Sequence, residues 1–244
     1  MSREKIISNL PLDLDSVALF SYRIYQYRSP DLMRMNPAYT SRLLALEKQV
    51  RGKYETAHIG GDYPPQLFRR VSGFEAIEHS FRSAVAQIAR VQVVQVYCSR
   101  SWAFMARRNE FILFDDESYH RIELPSTLLG IHNHAPFHFS GVYYVRSPGP
   151  SPQSLAEKDQ GRLVIYNPIA TGFDQPDYTS IEPEPGLLII FPSCMSHRVV
   201  PPVVDGDRIS ISMDALVFDE RMRATGCLRH RKTEASSLGT GPEI

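Results

Sequence analysis

The chain has 244 residues, with 27 Lys+Arg balanced by 27 Asp+Glu. Zero formal charge argues against a general nucleic-acid binder, which needs a basic footprint. A hydrophobic fraction of 43% supports a true core, and no apolar run is long enough to span a bilayer.

The N-terminus, Met1-Ser2-Arg3-Glu4-Lys5, lacks the apolar stretch of a signal peptide, so a cytoplasmic protein is expected. A first strand is expected around Val17 to Tyr25. Asn36-Pro37 then reads as a helix start, Asn as N-cap and Pro in the first turn. Leu43, Leu44, Leu46 and Val50 give that helix an apolar side. Gly60-Gly61 and Pro64-Pro65 mark a loop. A second helix is expected from Ser72, with Glu75 three residues on as a capping box. Phe74, Ile77, Phe81, Val85 and Ile88 recur at helical spacing, so one face packs inward.

After Arg90 the pattern turns to strands. Val91 to Tyr97 alternates. Glu110 to Phe114 and Tyr119 to Leu124 flank Asp115-Asp116-Glu117-Ser118 as a hairpin. Gly141 to Arg146, Arg162 to Tyr166, Gly186 to Phe191 and Arg208 to Val217 follow. Pro- and Gly-rich turns at 147–152 and 183–186 separate them. Many short strands with this punctuation point to a sandwich or jelly roll. From Arg221 the chain is basic and then Ser/Gly/Thr-rich, which reads as a mobile tail over 221–244 behind a single domain over 1–220.

His132-Asn133-His134 carries the chemistry. On a strand, a His-x-His pair turns both imidazoles to one face. His197, at the end of an apolar strand, can complete a three-sided metal cap. Imidazole suits iron, zinc, copper and nickel, so the ligands alone do not choose the metal. Asp207-Arg208-Ile209-Ser210-Ile211-Ser212-Met213-Asp214 alternates cleanly. Its polar side could face water. Facing inward instead, Arg208 would grip a carboxylate with a two-pronged contact and Ser210 would add a hydroxyl. The histidine set favours the inward reading, hence a non-haem iron site with a 2-oxoglutarate pocket beside it. Tyr143 and Tyr144 lie on opposite strand faces, so one of them reaches the pocket and both stand as candidate cosubstrate contacts. His138 is at most a pocket residue. Cys98, Cys194 and Cys227 form no C-x-x-C pair, and Cys194 reads as a buried free cysteine.

His132-x-His134, Ser140-Gly141-Val142-Tyr143-Tyr144-Val145, Phe191-Pro192-Ser193, His197 and Arg208-Ile209-Ser210-Ile211-Ser212 together resemble the 2-oxoglutarate/Fe(II)-dependent oxygenase family. The strong part of the resemblance covers about residues 130 to 215. Trp102 matches a Trp that precedes the histidine pair in that family. The resemblance implies a mainly β fold with flanking helices, the double-stranded β-helix (jelly roll, cupin-like). It also implies Fe(II) on His132, His134 and His197, and 2-oxoglutarate on Arg208 with Ser210 as helper. The general pattern has a carboxylate where this chain has His134. A neutral ligand there leaves one more positive charge on the iron centre. The family's Pro after the second His is displaced to Pro136, and the segment from Trp102 to His132 is longer than usual.

The expected activity is oxidation of a small organic substrate by molecular oxygen, with release of succinate and CO2. An amine-bearing molecule or one from secondary metabolism fits the neutral charge and the acidic hairpin. No nucleic acid and no membrane are expected as partners, and a homodimer is left open. The alternatives are a three-His dioxygenase that does not use 2-oxoglutarate, and a jelly-roll binding module without catalysis.

Overall fold

The structure, a computed structural model, describes residues 22–51, 67–89, 95–107, 110–114, 119–123, 130–149, 159–169, 177–200, 202 and 205–218. The expected loop at 60–65, the hairpin turn at 115–118 and the tail from 221 lie outside these residues.

Helix α1 (Pro30–Arg51) starts earlier than the Asn36-Pro37 cue implied. Ser29 Oγ accepts from the Leu32 N–H at 3.3 Å, and Pro30 takes the first helical position, where a missing N–H is harmless. Pro37 therefore lies inside the helix. Asn36 is buried and accepts from the Tyr143 hydroxyl at 2.7 Å. The buried line runs Leu32, Asn36, Tyr39, Leu43, Glu47, an i, i+4, i+7 stripe. Leu44 and Leu46 are only partly buried, and the Val50 side chain lies outside the described residues.

After the short α2 (Leu67–Arg70), α3 (Glu75–Ala89) begins three residues later than expected from Ser72. The Glu75 carboxylate accepts from the Gly73 N–H at 2.9 and 3.0 Å. Ser72 instead accepts from Arg42 Nη2 at 2.9 Å. Phe74, Ile77, Phe81 and Val85 are fully buried, as their spacing required.

The strands are β1 (Tyr25–Arg28), β2 (Gln95–Arg107), β3 (Glu110–Phe114), β4 (Tyr119–Glu123), β5 (Phe139–Arg146), β6 (Leu163–Tyr166), β7 (Tyr178–Ile181), β8 (Leu187–Pro192), β9 (His197–Val199) and β10 (Arg208–Phe218). One sheet has the order β1-β8-β5-β10-β2-β3-β4 and the other β7-β6-β9, with antiparallel pairing throughout. The hairpin of β3 and β4 pairs as expected, Phe114 opposite Tyr119. Strand β2 runs well past Tyr97 because it pairs with β10 along its length. The first strand is found only from Tyr25 onward, and Val17 to Ser21 lie outside the described residues.

The large sheet has two buried faces. Tyr143, Leu188, Ile190, Ile209, Ile211 and Met213 pack with the helices. Val142, Tyr144, Leu187, Ile189 and Phe191 pack with Leu163, Ile165 and Ile181 of the small sheet. This is the double-stranded β-helix, with helices laid on one side. Gly141 lets α3 approach closely: a Cβ there would stand 2.6 Å from the Phe81 ring. The site opens between the two sheets, away from the helices.

Candidate active site

His132, His134 and His197 come together, each offering one ligand atom, and those atoms lie within 4.8 Å of one another. The pair is not carried on a regular strand, as expected from the sequence. His132 forms an isolated antiparallel bridge with His197 instead. Its N–H donates to the His197 carbonyl at 3.0 Å, and the His197 N–H donates back at 2.8 Å. The His134 N–H donates to the Ser193 carbonyl at 2.8 Å. Backbone bonds thus fasten all three residues at the mouth formed by β8 and β9.

The ring contacts fix how each imidazole is presented. His132 Nδ1 is 2.9 Å from the Gly130 carbonyl, and His197 Nδ1 is 3.0 Å from the Met195 carbonyl. A carbonyl only accepts, so both rings carry their proton on Nδ1 and leave the Nε2 lone pair available. His134 Nδ1 is 2.8 Å from Asp214 Oδ1, which fixes the same tautomer. Burial, then the neighbouring His134, push His197 down to about 3. Burial also pulls His132 below its ordinary value. Both rings therefore stay neutral, the form that binds a metal. Three imidazole nitrogens within 4.8 Å of one another suit a borderline divalent ion such as Fe(II).

Asp214 is fully buried behind His134. Oδ1 also accepts from Ser140 Oγ at 2.7 Å, and Oδ2 accepts from Arg100 Nε at 2.9 Å and Nη2 at 2.6 Å. Ser140 Oγ lies 2.8 Å from Ser193 Oγ. The Trp102 ring centroid is 5.5 Å from that of His134. The sequence reading placed Asp214 on the inward face of its strand but gave it no role, and it passed over Arg100. Parity with Arg208 was the available signal.

Beside the histidines a cavity of about 80 Å³ is lined by Phe104, Val142, Leu163, Arg208, Ser210 and Ser212, among others. One water needs roughly 10–15 Å³ by this measure, so a small dicarboxylate is the right scale of guest. Arg208 lies at its inner end with 0% exposure. Its Nη1 reaches Ser210 Oγ and its Nη2 the Tyr144 hydroxyl, both only at 3.4 Å, and Nε has no partner. Among the described residues no carboxylate pairs with it. Burial lowers its proton affinity, yet a guanidinium starts so high that it keeps its charge. A buried cation without a counter-ion is costly, and a carboxylate ligand removes that cost. Burial also raises the Tyr144 phenol, keeping it a neutral donor.

Tyr144 is on the Arg208 side of its strand, packed in the second core behind the guanidinium it contacts. Tyr143, also considered for the pocket, points to the helix side and bonds Asn36. Ser210 pairs opposite Tyr144 in the sheet, with a register shift between Ile209 and Ser210. His138 stays out of the cavity, its Nδ1 accepting from the Val217 N–H at 2.9 Å. Cys194 is exposed, not buried, because its turn faces outward between buried Ser193 and Met195.

Residues 119–214 match the family model described as "Putative 2OG-Fe(II) oxygenase". That stretch holds all three histidines, Arg208 and Asp214. Over that stretch, 96 of the 244 residues, the chain is similar to the 2OG-Fe(II) oxygenases. The match indicates an enzyme of the Fe(II)- and 2-oxoglutarate-dependent kind, with that ion and that cosubstrate as cofactors.

Similar solved structures include a prolyl-4-hydroxylase from Pseudomonas putida, at 16% identity over 80% of this chain and 88% of that one, TM-score 0.44. A prolyl hydroxylase from Trichoplax adhaerens, in complex with a hypoxia inducible factor peptide fragment, is 14% identical over 83% of this chain and 86% of that one, TM-score 0.44. HygX from Streptomyces hygroscopicus, with nickel and 2-oxoglutarate bound, is 11% identical over 79% of this chain and 82% of that one, TM-score 0.40. No curated protein matches the chain. Among the described residues, no helix is long and apolar enough to cross a membrane.

Proposed function

We propose that the chain oxidises a small organic substrate at a C–H bond, with release of succinate and CO2. In this reading His132, His134 and His197 hold Fe(II), and Arg208, Ser210 and Tyr144 hold the far carboxylate of 2-oxoglutarate. The observation that carries it is the fully buried Arg208, with no carboxylate partner among the described residues, beside three convergent imidazoles. A three-His dioxygenase that uses no 2-oxoglutarate has no need of such a cation.

When bound, the iron supplies oxygen activation and the cosubstrate its reducing electrons. The chain's own residues do the rest. The three Nδ1 protons are committed to Gly130, Met195 and Asp214, so each ring presents Nε2 without rearrangement. Arg208 and Tyr144 orient a dicarboxylate from its remote end, leaving its other end directed at the histidines. Phe104, Val142, Leu163 and Phe191 line the path and exclude water. Half-buried Trp102 and exposed His132 also line the cavity, and a substrate would enter past them.

Incubating the purified protein with Fe(II), oxygen and 2-oxoglutarate tests this reading. Slow succinate formation without substrate, lost in His197→Ala, is the expected outcome. Iron binding with no consumption of 2-oxoglutarate would move the chain to the other dioxygenase class.

A further inference from the structure

The three histidines are not backed alike. His132 and His197 rest on neutral backbone carbonyls, while His134 rests on a carboxylate. His134 also occupies the place where the general oxygenase pattern has a carboxylate ligand. We propose that Asp214 is the positioning residue of this centre, supplying from one hydrogen bond behind His134 the negative charge that a carboxylate ligand would bring to the metal directly. The inference rests on the three-histidine reading above.

The geometry is built for it. Asp214 is fully buried and both its oxygens are filled, Oδ1 by His134 and Ser140, Oδ2 by Arg100. The carboxylate therefore cannot turn away from the ring. Ser140 links to Ser193, whose carbonyl holds the His134 backbone, so ring and main chain of His134 belong to one closed network. Arg100 is itself held over the rings of Trp102 at 5.4 Å and Phe137 at 4.7 Å. A ligand imidazole that donates to a carboxylate becomes a stronger electron donor and is fixed in orientation. In a site of three neutral ligands that is the one source of negative charge near the metal among the described residues of the network.

A plainer role is also conceivable: Asp214 could serve only to neutralise Arg100. Two measurements on the full chain separate the roles, using Co(II) as probe under anaerobic conditions. The first is Co(II) affinity by calorimetry, together with the Co(II) visible spectrum. Asp214→Asn is expected to weaken Co(II) binding by roughly 10–100-fold and to shift the spectrum. The second repeats the substitution in a His134→Asp background. There the introduced carboxylate would neighbour Asp214, and two adjacent like charges oppose each other. Adding Asp214→Asn should now strengthen Co(II) binding.

A reversal of sign between the two backgrounds is the signature of the proposal. Unchanged Co(II) affinity in Asp214→Asn, or an equal loss in both backgrounds, overturns it and leaves Asp214 as the partner of Arg100 alone. Should Asp214→Asn fail to fold because Arg100 loses its partner, Arg100→Met/Asp214→Asn removes that charge too and carries the same expectation. A parent protein that binds no Co(II) overturns the three-histidine reading itself, which is a different result from a parent that binds and a variant that does not differ.

Discussion

Strand β10 (Arg208–Phe218) has two buried faces held in place by different physics. Toward the helices it presents Ile209, Ile211, Met213, Ala215 and Val217, all packed in the larger core. Toward the small sheet it presents Arg208, Ser210, Ser212 and Asp214, of which Arg208 and Asp214 are charged and 0% exposed. The first face stabilises the fold by removing apolar area from water. The second opposes folding unless every polar group is paired. Asp214 meets that condition through His134, Ser140 and Arg100. Arg208 does not, since its Nε is orphaned. A strand keeps such a residue when a ligand supplies the missing partner. The comparison teaches that burial alone does not separate core from site; the partners of the buried polar atoms, and whether they are all present, carry the distinction for Arg208 and Asp214.

The comparison can be broken most sharply at Arg208. Arg208→Leu should raise the 2-oxoglutarate Kd by roughly 30- to 4,000-fold, the equivalent of about 2–5 kcal/mol for losing a buried charge partner. It should also raise the melting temperature of the ligand-free protein, because a buried charge with no carboxylate partner among the described residues has been replaced by an apolar side chain. Calorimetry of binding and of unfolding reads both. A variant that loses stability and keeps its 2-oxoglutarate affinity would show Arg208 to be a structural residue.

On the opposite face Ile211→Ala should do the reverse. It should destabilise the fold by about 2–5 kcal/mol through lost burial and an unfilled cavity. Iron stoichiometry of the protein that remains folded should not change. Denaturant melts and metal analysis measure the two effects, and an iron deficit in folded Ile211→Ala would join the faces functionally.

The effect that is smallest near neutral pH is that of acid on the metal-free protein. His197 in the folded state lies near 3, against 6.5 for a free imidazole, with burial as the first cause. The unfolded chain thus takes up the proton first. Stability from keeping this ring neutral is complete above about pH 6.5 and falls as the pH drops toward 3, at most about 1.4 kcal/mol per pH unit. His197→Phe should flatten that part of the profile. Identical slopes for parent and variant would contradict the assignment of the effect to His197.

Much of this was legible in the sequence because it rests on parity. The alternation from Arg208 to Asp214 separates the two faces without any structure, and the spacing of Phe74, Ile77, Phe81 and Val85 marks the buried side of α3. The histidine set was legible as residues, though not as backbone: His132 lies in an isolated bridge, where only the partner segment around His197 holds it. Tyr143 and Tyr144 could not be told apart, because the choice depends on the cross-strand partner of each, Ile211 for Tyr143 and Ser210 for Tyr144. Asp214 stayed without a role because its partners, Arg100, His134 and Ser140, come from two other parts of the chain. The start of α1 was misread because Asn36-Pro37 carries a stronger local signal than Ser29-Pro30. Asn36 is spent on Tyr143 instead, a contact between residues 107 positions apart. Strand β9 has three residues, too short for periodicity to register.

The most direct test of the account is an anaerobic titration of the purified protein, first with Fe(II) and then with 2-oxoglutarate, followed in the visible spectrum. One iron per chain, and then a metal-to-ligand charge-transfer band that saturates at one 2-oxoglutarate in the parent but needs far higher concentrations in Arg208→Leu, is the predicted result. Full iron loading with no such band at any 2-oxoglutarate concentration would contradict it.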